Sequence, residues 1–412
     1  MFDVLVLGGG FAGMWSAAGA ARLLHAHGAD HTVALLSPDA DLTIRPRLYQ
    51  ADPDTMRVPL DRVLGPIGVR RITARATAID TGRRRVTATT THPDGRTTED
   101  TYAYGRLVLA TGSRLVRPAL PGAEHLHDID TRAAADALER HLHTLPELPA
   151  HPGRFTAVVV GAGFTGLEIA TELVGRLRKL AAPLGAEDEV RVVLVERADA
   201  VGPDLGAAPR PLLTRALEEL AVHTRLGVTV ERLDGERAAL SDGTLIPART
   251  VVWTAGVRAD ALTEAVPAER DRLGRLAVDR FLRVTGVPGV YAAGDTAAAE
   301  DQEGHPVTQS CQHAIPLGKT AGHNVVADLL GLPPVPFAPD PYTTCLDLGE
   351  AGALSTTGWD RIPRDVPEGW AKSLKRDINE KWIYPPVDDA EAIRRAADPR
   401  SSTRQPLTFT GA

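Results

Sequence analysis

Cysteine, aromatic residues, lysine and long apolar runs are all scarce in this chain of 412 residues. Its two cysteines, Cys311 and Cys345, lack the close spacing of a dithiol redox centre. We expect two free thiols, with a redox pair as the alternative. Because no run of 18 apolar residues occurs, no membrane-spanning helix is expected.

Positive charge is also limited. The formal net charge is -7, and only five of the 46 basic Lys and Arg residues are lysines. No basic block is long enough to follow a phosphate backbone, so we expect no nucleic-acid partner. A strand pattern begins at Phe2 and leaves no room for a signal peptide, which predicts a cytoplasmic protein.

Two glycine fingerprints are the most informative feature that is present. They are Gly8-x-Gly10-x-x-Gly13 and Gly161-x-Gly163-x-x-Gly166. Each follows an apolar strand pattern, at 2–7 and 156–160, and opens a helical pattern, at 11–24 and 164–180. The first glycine permits the tight turn, the second admits a pyrophosphate, and the third lets helix and strand pack closely. The pair predicts two dinucleotide sites at helix N-termini.

A third signal is the apolar segment Val290-Tyr-Ala-Ala-Gly-Asp295. It predicts a strand that ends in an aspartate at the carboxyl edge of the first domain, where ligands bind in open α/β sheets. Asp295 is therefore expected to accept hydrogen bonds from sugar or ribityl hydroxyls. Its alternative role is an N-cap for the next turn.

The order of these motifs predicts an α/β protein in which one dinucleotide domain is inserted into another. We place the first domain at 1–153 and 259–330, and the second at 154–258. A small α+β unit follows at 331–412, after the proline-rich stop at 331–336.

In this last unit, 343–348 and 352–357 are predicted strands and 370–383 is a predicted amphipathic helix. Its apolar stripe and its basic face are formed by the following residues: Trp370, Leu374, Ile378 and Trp382 on the stripe, and Lys372, Lys375, Arg376 and Lys381 opposite. Such a helix packs on its own domain or on a second subunit of a homodimer. The alternative is peripheral attachment to the inner face of an anionic membrane.

Several further segments make a family resemblance specific. They are Ala110-Thr-Gly-Ser113, Val252-Trp-Thr-Ala-Gly-Val257, Ala293-Gly-Asp295 and Pro46-Arg-Leu-Tyr-Gln50. With the two fingerprints, in this order and spacing, they resemble the two-dinucleotide-binding-domain flavoproteins, and within these most closely the type II NADH dehydrogenases. The resemblance covers roughly 1–330.

The resemblance implies FAD in the first domain and NADH, rather than NADPH, in the second. It implies the following cofactor contacts: Gly8, Gly10, Phe11, Ala12, Gly13, Ser37, Ala110, Thr111, Gly112, Gly294 and Asp295 for FAD, and Gly161, Gly163, Thr165, Gly166, Glu196 and Gly256 for NADH. It also places Glu168 close to the nicotinamide and the flavin. From the residues alone, Glu168 in a first helical turn can simply complement the helix dipole.

The ends of the second strands refine the choice of nucleotide. Glu196 stands where a carboxylate holds both ribose hydroxyls of NAD and repels the phosphate of NADP, whereas Arg197 would accommodate that phosphate. In the first domain the family's acidic residue is replaced by Ser37. Either Ser37 contacts the ribose of FAD or the side chain of Asp39 does so in its place.

The electron acceptor depends on the segment after Asp295. Thr308 is predicted to cap a helix that runs to about Leu329. Type II NADH dehydrogenases carry glutamines here that help to form the quinone site, and this chain keeps Gln312 but has Pro316-Leu317 in place of the glutamine pair. Pro316 should kink the helix, and His313 is a candidate proton donor to the acceptor.

The sequence therefore predicts an enzyme that passes electrons from NADH through FAD to a quinone-like small molecule, with catalytic roles for Glu168, Gln312 and His313. No metal site is expected. Two alternatives remain at this point: a biosynthetic flavoenzyme acting on one metabolite, and a reductase of a ferredoxin-like protein.

Overall fold

The computed structural model describes residues 1–92 and 94–402 of the chain. Its strands, in chain order, are β1 Phe2–Leu7, β2 Val33–Ser37, β3 Asp41–Thr43, β4 Arg57–Pro59, β5 Arg70–Thr73, β6 Arg75–Asp80, β7 Arg85–Thr91, β8 Thr97–Leu109, β9 Ser113–Leu115, β10 Leu126–His127, β11 Thr156–Val160, β12 Arg191–Glu196, β13 Val222–Leu226, β14 Val230–Leu233, β15 Arg237–Leu240, β16 Leu245–Pro247, β17 Thr250–Trp253, β18 Val257–Ala259, β19 Leu276–Ala277, β20 Val290–Ala292, β21 Ala297–Ala298, β22 Thr343–Asp347, β23 Ala353–Thr357 and β24 Ile362–Pro363. The α-helices are α1 Phe11–Ala26, α2 Asp61–Leu64, α3 Arg132–Thr144, α4 Phe164–Ala181, α5 Arg210–Glu219, α6 Cys311–Leu330, α7 Trp370–Asp377 and α8 Ala390–Ala396.

The larger sheet carries the first glycine fingerprint. Its strand order is β5-β2-β1-β8-β7-β6, and β20 pairs with β8. The strands β5, β2, β1, β8 and β20 are parallel, whereas β6 and β7 continue the sheet in antiparallel fashion. Residues 4–7 of β1 are completely buried, as expected for a parallel strand covered on both faces.

The second fingerprint belongs to a separate parallel sheet, in the order β10-β17-β11-β12-β13. The chain leaves the larger sheet, builds this one, and returns to the larger sheet with β20. This confirms the predicted α/β fold with one dinucleotide domain inserted into the other. Strand β10 already belongs to the second sheet, although it lies within the predicted first part of the first domain.

Helices α1 and α6 pack closely because small residues face each other. A methyl group on Gly318 would lie 2.4 Å from the Ala12 carbonyl oxygen, and one on Gly322 would lie 2.1 Å from the Ser16 carbonyl oxygen. Backbone therefore meets backbone along this contact. It holds the N-terminal end of α6 beside the first fingerprint.

The beginning of α6 corrects one prediction. The helix starts at Cys311 with Ser310 in extended backbone before it, so Thr308 does not cap it. Thr308 lies too early in the chain and its hydroxyl instead contacts His313 Nδ1 at 3.0 Å. Pro316 lies inside α6, which continues as a helix to Leu330.

The C-terminal part has the predicted α+β character. Strands β22, β23 and β24 form an antiparallel sheet, and α7 packs on β22 and β23. A π-helical turn, Ile378–Trp382, continues α7. Among residues 1–92 and 94–402, no helix combines the length and the apolar character needed to cross a bilayer.

Candidate active site

The first fingerprint has the backbone geometry of a phosphate-binding turn. A methyl group on Gly13 would lie 1.9 Å from the Gly8 carbonyl oxygen, and one on Gly8 would lie 2.2 Å from the Ala110 carbonyl oxygen. Only glycine permits this packing. At Gly10, by contrast, a methyl group would have no described atom within 4 Å. The amides at the start of α1 therefore face open space, which suits a pyrophosphate.

The second fingerprint repeats this arrangement. A methyl group on Gly166 would lie 1.7 Å from the Gly161 carbonyl oxygen. Thr254 fixes the turn from the neighbouring strand, since its hydroxyl donates to the carbonyls of Val160 at 2.8 Å and Gly161 at 3.2 Å. Gly163 precedes the first turn of α4 in extended backbone. Both helix N-termini are thus built alike.

Glu196 ends β12 beside the second fingerprint. Its carboxylate accepts hydrogen bonds from the amides of Ala162 at 2.7 Å and Ala198 at 2.9 Å. The side chain is buried, whereas that of Arg197 is exposed. The carboxylate is therefore held in place at the position predicted for the ribose contact.

In the first domain, Ser37 is the residue that reaches the fingerprint. Its side chain is buried, and a methyl group on Gly9 would lie 2.6 Å from its Oγ. Asp39 is exposed and its amide donates to Ser37 Oγ at 3.3 Å. The geometry favours Ser37 over Asp39 at this position.

Asp295 follows β20 at the carboxyl edge of the larger sheet, as predicted. Ser113 Oγ donates to Asp295 Oδ2 at 2.6 Å, and Arg45 Nη1 lies 3.7 Å from the same oxygen. Burial raises the pKa of Asp295, and the Ser113 hydrogen bond and the Arg45 charge oppose this rise. The carboxylate is held from one side by one hydrogen bond and one ion pair.

These residues fit an FAD. Within the described residues, the buried Thr111 Oγ1 has no hydrogen-bond partner, and it directly follows Ala110, whose carbonyl approaches the first fingerprint. An unpaired buried hydroxyl beside an open phosphate-binding turn is what a cofactor with polar edges would satisfy. The remaining predicted contacts lie close to this turn. Phe11 and Ala12 are buried in the first turn of α1, and Gly112 directly follows Thr111. A methyl group on Gly294 would lie 2.7 Å from the Ala12 side chain.

A pocket lies beside the start of α4. Its walls are formed by Arg45, Pro46, Tyr49, Leu115, Ile129, Asp130, Thr165, Glu168, Trp253, Thr254 and Val257. Thr165 and Glu168 come from the start of α4, so the second fingerprint opens into this pocket, near Gly256. Arg45 reaches it from the Asp295 side. The pocket therefore lies between the start of α4 and the contact of Arg45 with Asp295.

Glu168 forms a buried ion pair in the wall of this pocket. Lys375 Nζ of α7 lies 2.8 Å from Glu168 Oε1, and the Asp347 amide donates to the same oxygen at 3.1 Å. Burial raises the pKa of Glu168, and the Lys375 charge opposes this rise. Burial lowers the pKa of Lys375, but the Glu168 carboxylate outweighs it and leaves the pKa raised. The pair can hold a proton inside the pocket wall.

The lysines of α7 correct the predicted amphipathic helix. Lys375 was expected on a solvent face, but it is buried against Glu168. Lys372 pairs with Asp347 and donates to the Gly349 carbonyl at 2.8 Å. Carboxylates from α4 and β22 draw these two lysines inward, which helical periodicity cannot reveal. The clustering of lysines in an arginine-rich chain was the available signal.

The predicted apolar stripe of this helix is only partly covered. Trp370, Leu374, Ile378 and Trp382 are each half-buried, and the fully buried residues of the segment lie beside them. Asn379, one of these, donates to Tyr49 Oη at 3.0 Å, and Tyr49 Oη donates to Asp347 Oδ2 at 3.0 Å. The polar side of the helix therefore makes the specific contacts with the pocket wall.

His313 lies outside the residues that form the pocket wall. It is buried in α6 with its ring stacked on Tyr342 at 5.6 Å and Trp359 at 5.8 Å. Gln312, one residue earlier, is half-buried at the start of α6. The structure thus brings Glu168 to the pocket and gives His313 an aromatic environment.

The two cysteines are free thiols. Burial raises the pKa of Cys311 to about 11 and that of Cys345 to about 12. Thiols with such pKa values are protonated at neutral pH and are poor nucleophiles. This agrees with the expectation from their spacing.

Two helix ends shaped for nucleotides and a shared pocket define a two-domain, nucleotide-dependent oxidoreductase. The chain belongs to the pyridine nucleotide-disulphide oxidoreductase family, whose model matches residues 2–318. It is thus an NAD(P)H oxidoreductase, and the predicted resemblance to two-domain flavoproteins is confirmed.

Individual relatives agree with this assignment. An NADH dehydrogenase-like protein of Mycobacterium tuberculosis is 46% identical over 413 residues, which cover 98% of this chain and 100% of the relative. A type II NADH:quinone oxidoreductase of Staphylococcus epidermidis is 26% identical over 405 residues, covering 92% and 95%. The fold is similar to that of NDH2 from Plasmodium falciparum in complex with NADH, with a TM-score of 0.76, 12% identity and coverage of 96% of both chains.

Proposed function

We propose that this protein oxidises NADH through a bound FAD and passes the electrons to a quinone-like small molecule. The observation that carries the proposal is the shared pocket, which joins the second fingerprint, through Thr165 and Glu168, to Arg45 beside Asp295. The names of the relatives, NADH dehydrogenase-like and type II NADH:quinone oxidoreductase, support the same activity.

FAD would be held by the first fingerprint, by Asp295 and by the polar atoms that follow β8. When bound, this cofactor supplies the chemistry that takes a hydride from NADH and releases electrons to a second substrate. Gly161, Gly163 and Gly166 would hold the NADH pyrophosphate, and Glu196 would accept from its ribose hydroxyls. Exposed Arg197 leaves NADPH as the weaker alternative.

Glu168 and Lys375 supply the protein's own contribution to the chemistry. Glu168 lines the pocket and Lys375 pairs with it, and together they can retain a proton needed when a quinone is reduced. Buried Tyr49 fills the space beside them, with Lys375 Nζ 5.7 Å from its ring centre. The surrounding packing also limits the access of water to the pair.

The acceptor site differs from that of the type II enzymes at one place. Leu317, which stands in place of a glutamine, is buried in the core. It therefore offers no polar contact to a quinone, and Gln312 remains as a polar side chain in the first turn of α6. His313 would act on the acceptor only after a rearrangement of its aromatic stack.

Anaerobic titration with NADH, followed by stopped-flow mixing with a soluble menaquinone or ubiquinone analogue, tests the proposal. We expect the flavin absorbance to bleach rapidly with NADH and to recover at a comparable rate with quinone. Bleaching without recovery would redirect the search to another metabolite or to a ferredoxin-like protein. Absence of bleaching would refute NADH oxidation.

Domain bounds, location and assembly complete the proposal. We assign 1–153 and 259–330 to the FAD domain, 154–258 to the NADH domain and 331–412 to the C-terminal unit. A cytoplasmic enzyme, in peripheral contact with the inner face of the membrane or as a homodimer, is consistent with the half-buried stripe on α7 and the turn that follows it.

A further inference from the structure

Arg45 lies between two carboxylates from different parts of the fold. Its Nη2 pairs with Asp130, while its Nη1 donates to Ser113 Oγ at 3.0 Å and lies 3.7 Å from Asp295 Oδ2. Asp295 ends the strand region of the larger sheet, and Asp130 follows β10 of the second sheet. The Arg45 guanidinium therefore faces carboxylates from both sheets.

The contacts of Asp295 are one-sided. Ser113 and Arg45 both approach Oδ2, and the side chain is 16% exposed. Its Oδ1 makes no hydrogen bond to any residue in the described part of the chain. An oriented carboxylate with one oxygen held and the other available is suited to accept from a hydroxyl of a ligand.

Asp130 has other partners besides Arg45. The Leu115 amide donates to Asp130 Oδ2 at 3.0 Å, and the Asp130 amide donates to Asp128 Oδ1 at 3.0 Å. These contacts fix Asp130 independently of Arg45. Asp130 thus anchors the guanidinium, and the guanidinium in turn reaches Asp295.

We propose that Arg45 is a positioning residue for FAD, which orients the ionised Asp295 carboxylate so that Oδ1 receives the ribityl hydroxyls. This inference rests on the proposed function and extends it by naming a residue that acts through Asp295. Charge-assisted hydrogen bonds are stronger than neutral ones, so the ionised carboxylate binds a hydroxyl better than the protonated acid.

The charges around Asp295 make the effect of Arg45 on FAD affinity depend on pH. The facing groups are Arg45, Arg275, Asp130 and the Cys311 thiol. Burial raises the pKa of Asp295 and Arg45 opposes the rise. Loss of the Arg45 charge must raise this pKa further. Asp295 then becomes protonated at a higher pH, and FAD affinity falls earlier as the pH is lowered.

Titration of the apoprotein with FAD, followed by flavin fluorescence between about pH 5.5 and 8.5, measures this effect without NADH or quinone. We expect Arg45→Gln to weaken FAD binding about tenfold at neutral pH, because loss of the charge 3.7 Å from Asp295 Oδ2 disfavours the ionised carboxylate that accepts from the ligand. The decline of affinity on acidification should also begin at a higher pH than in the wild type.

Arg45→Lys provides the matched control, because it keeps the charge and loses the forked geometry. We expect weaker FAD binding with the wild-type pH dependence, and this result supports the inference even if Arg45→Gln does not fold, which thermal unfolding would reveal. Wild-type affinity in Arg45→Gln or Arg45→Lys overturns the inference and leaves the proposed function standing. Failure of the wild-type protein to bind FAD overturns both.

Discussion

Glu168 of α4 and Lys375 of α7 form an ion pair with 2.8 Å between Oε1 and Nζ, and both side chains are buried. The pair joins the helix of the second fingerprint to the C-terminal unit. It also ties Glu168, a charged residue of the pocket wall, to a residue outside the stretch that the family model matches, 2–318. The C-terminal unit therefore contacts the pocket wall.

Breaking this pair should be costly. Lys375→Met leaves Glu168 buried without its cation, and we expect the free energy of unfolding to fall by about 3–5 kcal/mol. The double variant Glu168→Gln/Lys375→Met removes both charges and should recover most of the loss. Urea unfolding of the three proteins measures these differences. Lys381→Met, which breaks an exposed pair with Asp377, should change stability by less than about 0.5 kcal/mol.

Two glycines of the first fingerprint should separate folding from cofactor binding. Gly10→Ala places its methyl group in open space, so we expect its apoprotein to unfold at the same temperature as the wild-type apoprotein but to lose FAD binding. Gly13→Ala places its methyl group 1.9 Å from the Gly8 carbonyl oxygen and should destabilise the domain itself. Calorimetry and flavin content of the purified variants distinguish the two. Normal FAD content in Gly10→Ala would contradict the assigned phosphate site.

Glu196 should determine the choice of nucleotide. Glu196→Gln cannot accept from both Ala162 and Ala198, and it loses the charge that repels a ribose phosphate. We expect the ratio of kcat/KM for NADPH over NADH to rise on the order of tenfold. Adding Arg197→Ala should remove the gain with NADPH. An unchanged ratio in Glu196→Gln would place the ribose elsewhere.

His127 should make the protein sensitive to acid. Burial, and then the nearby charges of His141 and Arg117, lower its pKa from the ordinary value of 6.5 to about 4. The neutral form is thus favoured in the folded protein. Its stabilisation is fully present above pH 6.5 and is lost as the pH falls towards 4, by an amount on the order of 2 kcal/mol.

Urea unfolding as a function of pH checks this expectation. His127→Asn should show a shallower loss of stability between pH 6.5 and 4 than the wild type. His143→Asn is the matched control, since His143 is exposed and pairs with Glu139 on the surface of α3. Identical slopes for wild type and His127→Asn would show that other groups dominate acid unfolding.

The sequence by itself determined the two nucleotide-binding turns and the order of the domains. Fingerprint glycines are required by short-range backbone contacts, such as that between Gly13 and Gly8, so local sequence is sufficient to predict them. The positions of Glu196 and Asp295, each at or just after the end of a strand, were also predicted from the local sequence. Resemblance to a family added the expectation that Glu168 lies near the nicotinamide and the flavin, which stays a prediction.

Tertiary structure alone decided which contacts the C-terminal helix makes and which charged groups form ion pairs at the pocket. Helical periodicity assigned Lys375 to solvent, because a pattern of apolar residues contains no information about a carboxylate 207 positions earlier in the chain. The same limit applies to Arg45, whose partners Ser113, Asp130 and Asp295 are distant in sequence. Ion pairs between distant segments depend on the packing of whole domains, and only the folded chain brings them together.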